Sequence, residues 1–167
     1  TGVPSLRDPF EPWLANFPHI SPCYPYRCQA PGCQGTCDLS CARELEQAIL
    51  AEGPESVAAF IAEPVVMGGM AAVPATEDYF QEIRRICDAY DVLFIADEVI
   101  TGYGRTGRHF AVEHWETTPD LLVFGKGASS GYIPLGGVMI SEQMADTFAQ
   151  NQAFFAHIFT YVNNPVA

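Results

Sequence analysis

The chain has 167 residues, 49% of them hydrophobic and 17% charged, with Lys+Arg 8 against Asp+Glu 20 and a formal net charge of -12. That is enough apolar material for a core, and the negative balance argues against nucleic acid, whose phosphates require clustered cations, and against docking on anionic lipid. No apolar run is long enough to span a bilayer and the opening TGVPSLRDPFEPW has no signal pattern, so the expectation is a cytoplasmic protein with small-molecule partners.

Residues 1–40 form a Pro- and Cys-rich segment. Prolines at 4, 9, 12, 18, 22, 25 and 31 forbid a long helix, and the segment is read as irregular and extended. Five of the six cysteines crowd here and just beyond it, at Cys23, Cys28, Cys33, Cys37 and Cys41, with Cys87 apart. They follow C-x₄-C-x₄-C-x₃-C-x₃-C, without a paired C-x₂-C knuckle. A zinc-binding module is one reading; a reduced structural segment with no metal ligands is preferred.

From Ser40 the pattern changes. CARELEQAILAE carries Ala42, Leu45, Ala48 and Ile49 at helical spacing, and Gly53-Pro54 stops it. VAAFIA (57–62) reads as a buried strand. TEDYFQEIRRICDAY (76–90) reads as a helix with Thr76 as N-cap and Phe80, Ile83, Ile86 and Cys87 as its apolar stripe. VLFIA (92–96) and LLVF (121–124) read as further buried strands, 109–115 as a short helix, GGVMI (136–140) as a fourth strand, and 141–150 as a helix capped by Ser141.

Alternating strands and helices indicate a parallel α/β sheet with right-handed crossovers. Ligands in such sheets bind beyond the carboxyl ends of the strands. Glu63-Pro64 follows the first strand, Asp97-Glu98 the second and Gly125-Lys126 the third. Two carboxylates and a lysine therefore converge on one edge.

Lys126 is the only lysine of the chain and stands between two glycines. A desolvated lysine is a nucleophile able to form a Schiff base; a surface lysine in a loop is the alternative. Asp97 closes an apolar strand, and an acid there requires a partner or a capping role. A protonated pyridine nitrogen is such a partner, because pyridoxal phosphate (PLP) works as an electron sink with an acid at that atom.

FIADEVITGYGRTG (94–107), PDLLVFGKGASSGYIPLGGVMIS (119–141) and VAAFIAEPVVMGGMAAVP (57–74) together resemble the class III aminotransferases, PLP enzymes of fold type I, and the Pro-rich opening resembles their omega-aminotransferase branch. The resemblance implies a mostly parallel, three-layer α/β sheet, with 41–167 forming the central, incomplete part of the large domain. It implies that Lys126 holds PLP as a Schiff base and then shuttles a proton, that Asp97 pairs with the ring nitrogen, that Val99 packs on a ring face and that Glu63 supports the ring. Thr160 matches the threonine that binds the phosphate of the neighbouring subunit's cofactor, which implies a homodimer with shared sites. The function implied is transfer of an amino group from an amine or amino acid to a keto acid or aldehyde. Aminomutases and dialkylglycine decarboxylases share the same lysine and aspartate. The chain departs from the family at Met67 and Met70, where glycine is usual, and at Val162-Asn163-Asn164, where Ser-Gly-His is frequent.

A rival reading takes Gly102-Tyr103-Gly104-Arg105-Thr106-Gly107 as a G-x-G-x-x-G dinucleotide fingerprint, with Asp120 as the ribose acid of an NAD-binding domain. The acidic pair Asp97-Glu98 before the glycines would repel a pyrophosphate. The histidines at 19, 109, 114 and 157 have no partner at metal or triad spacing, and Arg105 reads as structural.

Overall fold

The computed structural model describes residues 3–28, 37–157 and 165. In chain order the helices are α1 (Pro4–Arg7), α2 (Ser40–Glu52), α3 (Tyr79–Tyr90) and α4 (Glu142–Gln150). The strands are β1 (Ala59–Ala62), β2 (Val65–Val66), β3 (Val73–Pro74), β4 (Leu93–Asp97), β5 (Leu121–Phe124) and β6 (Gly137–Ile140). They fall into two compact units. One comprises 1–58 with 65–92, the other 59–64 with 93–167. No helix among the described residues is long and apolar enough to cross a membrane.

The first unit holds α1, α2, α3 and the short antiparallel pair β2–β3. Its Pro-rich opening is built of single turns, α1 and the 3₁₀ segments Asp8–Trp13 and Pro25–Arg27, each with proline at its start, where the missing N–H costs nothing. Helix α2 buries Cys41, Ala42, Leu45 and Ile49, and α3 buries Tyr79, Phe80, Ile83, Ile86 and Cys87, the one-sided stripe that 3.6-residue spacing produces. The two helices are in contact, and the Tyr90 hydroxyl donates to Glu46 Oε1 at 3.0 Å. Helix α3 starts three residues later than Thr76, with Asp78 at the N-cap. The Thr76 hydroxyl instead lies 3.4 Å from Cys23 Sγ.

The second unit is a four-stranded mixed sheet of order β1-β4-β5-β6. Strands β1, β4 and β5 run parallel, as expected, with Ala62 level with Ala96 and Asp97 level with Val123; β6 is antiparallel to β5. On β4, Phe94 and Ala96 are fully buried, while Leu93 on the opposite face is exposed, as is Ile61 of β1. The strands read as buried on both faces thus alternate. Asp120 secures the start of β5: its Oδ2 accepts the Phe94 N–H at 2.7 Å, and its own N–H donates to the Phe94 carbonyl at 2.9 Å. The expected helix at 109–115 is a single 3₁₀ turn, Ala111–Trp115. The Ser141 cap of α4 forms as read, accepting the Met144 N–H at 3.2 Å.

Candidate active site

Strand β4 is flanked by β1 on one side and β5 on the other, all parallel. Glu63, Asp97 and Lys126 therefore stand at one end of three adjacent strands. Glu63 follows Ala62, the partner of Ala96, and lies level with Asp97. Lys126 comes three residues after Val123, the partner of Asp97. The ladder runs one bond further, since the Glu98 N–H donates to the Val123 carbonyl at 2.9 Å.

Past Asp97 the chain turns sharply. Asp97 Oδ1 accepts the Val99 N–H at 3.1 Å, a side-chain turn that an aspartate forms readily. That bond fixes the half-buried carboxyl group, and no bond to Oδ2 is found among the described residues. The turn brings Val99 against the strand-end glycine: a Cβ at Gly125 would lie 3.6 Å from Val99 Cγ1. A Cβ at Gly127 would lie 3.5 Å from the Gly102 carbonyl. The Tyr103 ring meets Phe124 and Phe110 edge-on, at centroid separations of 5.7 and 5.5 Å. The two loops that carry Asp97 and Lys126 are thus packed together.

Lys126 opens a 3₁₀ turn, Lys126–Ala128, closed by the Ala128 N–H to the Gly125 carbonyl at 3.0 Å. Its φ is 38°, a left-handed value that is unfavourable for a side-chain-bearing residue. Strain of this kind persists where surrounding structure imposes it, as at functional sites. The side chain is exposed, and among the described residues no ion pair joins it to Asp97.

Glu98 is the residue that sequence reasoning missed. It is 0% exposed. Its Oε1 accepts the Val112 N–H at 2.7 Å, and its Oε2 accepts the Ala111 N–H at 3.0 Å and the Thr101 hydroxyl. It ties the 3₁₀ turn after the glycine loop to the end of β4, next to Asp97. Thr101, three residues on, was the one local sign of this role; the two N–H partners are remote in sequence. Thr160 lies outside the described residues. In the Gly102–Gly107 loop a Cβ on Gly102 would lie 2.9 Å from the Glu98 carbonyl, so that glycine serves the packing of its own turn, and Asp120, the acid the dinucleotide reading required, is engaged by Phe94.

The family model Aminotransferase class-III matches residues 1–167. The chain belongs to the class III aminotransferase family. It is 39% identical over 171 residues to gamma-aminobutyrate transaminase 1, mitochondrial, of Oryza sativa subsp. indica, covering 100% of this chain and 33% of that protein. It is 48% identical over 126 residues to putrescine–pyruvate aminotransferase of Pseudomonas aeruginosa, covering 75% and 27%. Among solved structures, the omega transaminase from Pseudomonas jessenii in complex with PMP superposes with a TM-score of 0.81 at 40% identity, covering 96% of this chain and 36% of that one. The chain spans about a third of the length of the relatives it matches.

Class III aminotransferases use PLP, and their fold is fold type I. The residues present fit that group. An exposed lysine amine free of an ion pair is available to hold a carbonyl carbon. One strand over, a half-buried aspartate keeps an oxygen free for a ring N–H. Val99 stands over a glycine at the same edge.

Proposed function

We propose that the intact protein is a PLP-dependent aminotransferase that moves an amino group from an amine or amino acid to a keto acid or aldehyde. The observation that carries the reading is the placement of Asp97 and Lys126 at the same end of neighbouring parallel strands, with their loops packed through Val99 and Gly125. Residues 41–167 belong, on this reading, to the PLP-binding large domain.

PLP, when bound, supplies an electron sink for the bond broken at the substrate carbon. Lys126 would hold the cofactor through its ε-amine, and the same nitrogen, when free, would serve as the base and acid that moves a proton at the substrate carbon. The Lys126–Ala128 turn sets where the side chain leaves the backbone, and proximity is a large part of such a step. Asp97, its Oδ1 fixed by the Val99 N–H, would keep the ring nitrogen protonated. Val99 would pack on one ring face, and Glu63 would support the ring from the end of β1. Thr160 would bind the phosphate of a neighbouring subunit's cofactor, which would make the working unit a homodimer with shared sites.

The relatives named for γ-aminobutyrate and putrescine point to donors with a terminal amine. The test is amino transfer from γ-aminobutyrate or putrescine to pyruvate by the PLP-loaded intact protein, read as alanine formed. Alanine formation that vanishes in Lys126→Ala supports the reading; turnover retained in that variant overturns it. A cytoplasmic location is carried with the proposal. Because the rice relative is named mitochondrial, fractionation of expressing cells separates the two compartments.

A further inference from the structure

Three of the cysteines that have no place in the transferase site come together in the first unit. The sulfur atoms of Cys23, Cys37 and Cys41 all lie within 4.8 Å of one another, with Cys23 and Cys41 buried and Cys37 half-buried. We propose that these three thiolates form a binding site for a d¹⁰ borderline-soft cation, zinc in the first instance, which pins the Pro-rich segment to helix α2.

The chain is arranged to hold the three sulfurs there. Cys41 sits in the first turn of the 13-residue α2. Between Cys37 and Cys41 the backbone reverses at Leu39, φ 62°. Asp38 locks that reversal, with Oδ1 accepting the Ser40 N–H at 3.0 Å and Oδ2 the Ser40 hydroxyl at 2.6 Å. The third sulfur arrives from the Pro-rich segment and is met by Thr76. The Thr76 N–H donates to Cys23 Sγ at 3.4 Å, with the Thr76 hydroxyl at the same distance. N–H and O–H groups directed at a ligating atom are the usual outer support of a metal ligand.

Tetrahedral zinc with Zn–S of about 2.3 Å needs sulfurs about 3.8 Å apart, a small contraction of the cluster as it stands. A disulfide would join only two of the three and leave the third buried or half-buried beside it. Cys41 also borders a cavity of about 800 Å³, which gives an ion a route in and a fourth position for water. The linear spacing hides this grouping, because the fold and not a knuckle brings Cys23 to the others.

The experiment is metal analysis of the intact protein purified under reducing conditions, followed by titration with Zn²⁺ alone and with Co²⁺ as a spectroscopic stand-in. Expected are stoichiometric zinc, a sulfur-to-cobalt charge-transfer band, loss of both in Cys37→Ser and Cys41→Ser, and zinc affinity about tenfold weaker in Thr76→Val. Lys126→Ala keeps the zinc, which separates this site from the transferase site. Zinc uptake unchanged in Cys37→Ser, or a Cys23–Cys41 disulfide found by peptide mapping of the purified protein, overturns the proposal. Should the serine variants fail to fold by circular dichroism, the wild-type cobalt spectrum decides: without a thiolate band the site does not exist.

Discussion

Replacing Glu98 by alanine removes every acceptor that the end of β4 offers to the 3₁₀ turn at 111–115. The N–H groups of Ala111 and Val112 belong to residues that are 0% and 3% exposed, so water does not readily replace the carboxylate at 3.0 and 2.7 Å. An orphaned buried donor costs about 1–3 kcal/mol, toward the upper end when its partner was a carboxylate. With two such donors and the Thr101 hydroxyl bond, Glu98→Ala should lose about 4 kcal/mol, a large share of the total stability of a domain. Glu98→Gln keeps one oxygen for one N–H but turns an amide donor toward the other, and should lose about half as much. Urea unfolding followed by fluorescence is a suitable assay, because Trp115 lies in the turn itself and is buried, whereas the other tryptophan, Trp13, is 84% exposed and reports little. If Glu98→Ala unfolds within about 1 kcal/mol of wild type, the carboxylate is not what holds the turn and the reasoning fails.

Three further substitutions probe the same framework. Gly102→Ala places a Cβ 2.9 Å from the Glu98 carbonyl and 3.1 Å from Phe110 Cδ1, and should cost about 1–3 kcal/mol by overpacking; a neutral melting profile would show the loop to be softer than described. Asp120→Ala orphans the Phe94 N–H, bonded at 2.7 Å, and should destabilise by about 1–3 kcal/mol in chemical denaturation, whereas a nucleotide-binding role would leave stability unchanged. Asp97→Asn keeps an oxygen for the Val99 N–H and so should keep the fold and the cofactor, measured by thermal melting and absorbance, while amino transfer falls by about 10²-fold or more. Full activity in Asp97→Asn would remove the ring-nitrogen role.

The placement of the candidate residues was legible because strand ends are legible: an apolar run that stops at Asp97 or at Gly125-Lys126 marks the edge of a parallel sheet where ligands bind. What stayed hidden depended on partners distant in the chain. Glu98 looks like the second half of an acidic pair until the fold brings Ala111 and Val112 to it from thirteen and fourteen residues away. Thr76 looks like an N-cap because hydroxyl residues favour that position, yet Cys23 takes its side chain and the helix begins after Asp78. The 109–115 segment forms only the 3₁₀ turn Ala111–Trp115, whose first N–H groups go to the Glu98 carboxylate and whose end is set by Glu116 in a left-handed conformation. The apolar runs of β1 and β4 read as buried on both faces, and the structure buries one side of β4 and leaves Ile61 and Leu93 open. The cysteines read as structural from their spacing, and only the reversal at Leu39 and the approach of Cys23 show three sulfurs at one point.

The central claim is that Lys126 is the residue to which the cofactor is joined. Borohydride reduction of the PLP-loaded intact protein, followed by peptide mass spectrometry, tests it directly. The account predicts a phosphopyridoxyl group on the peptide containing Gly125-Lys126-Gly127. A folded protein that carries PLP with that peptide unmodified would contradict it.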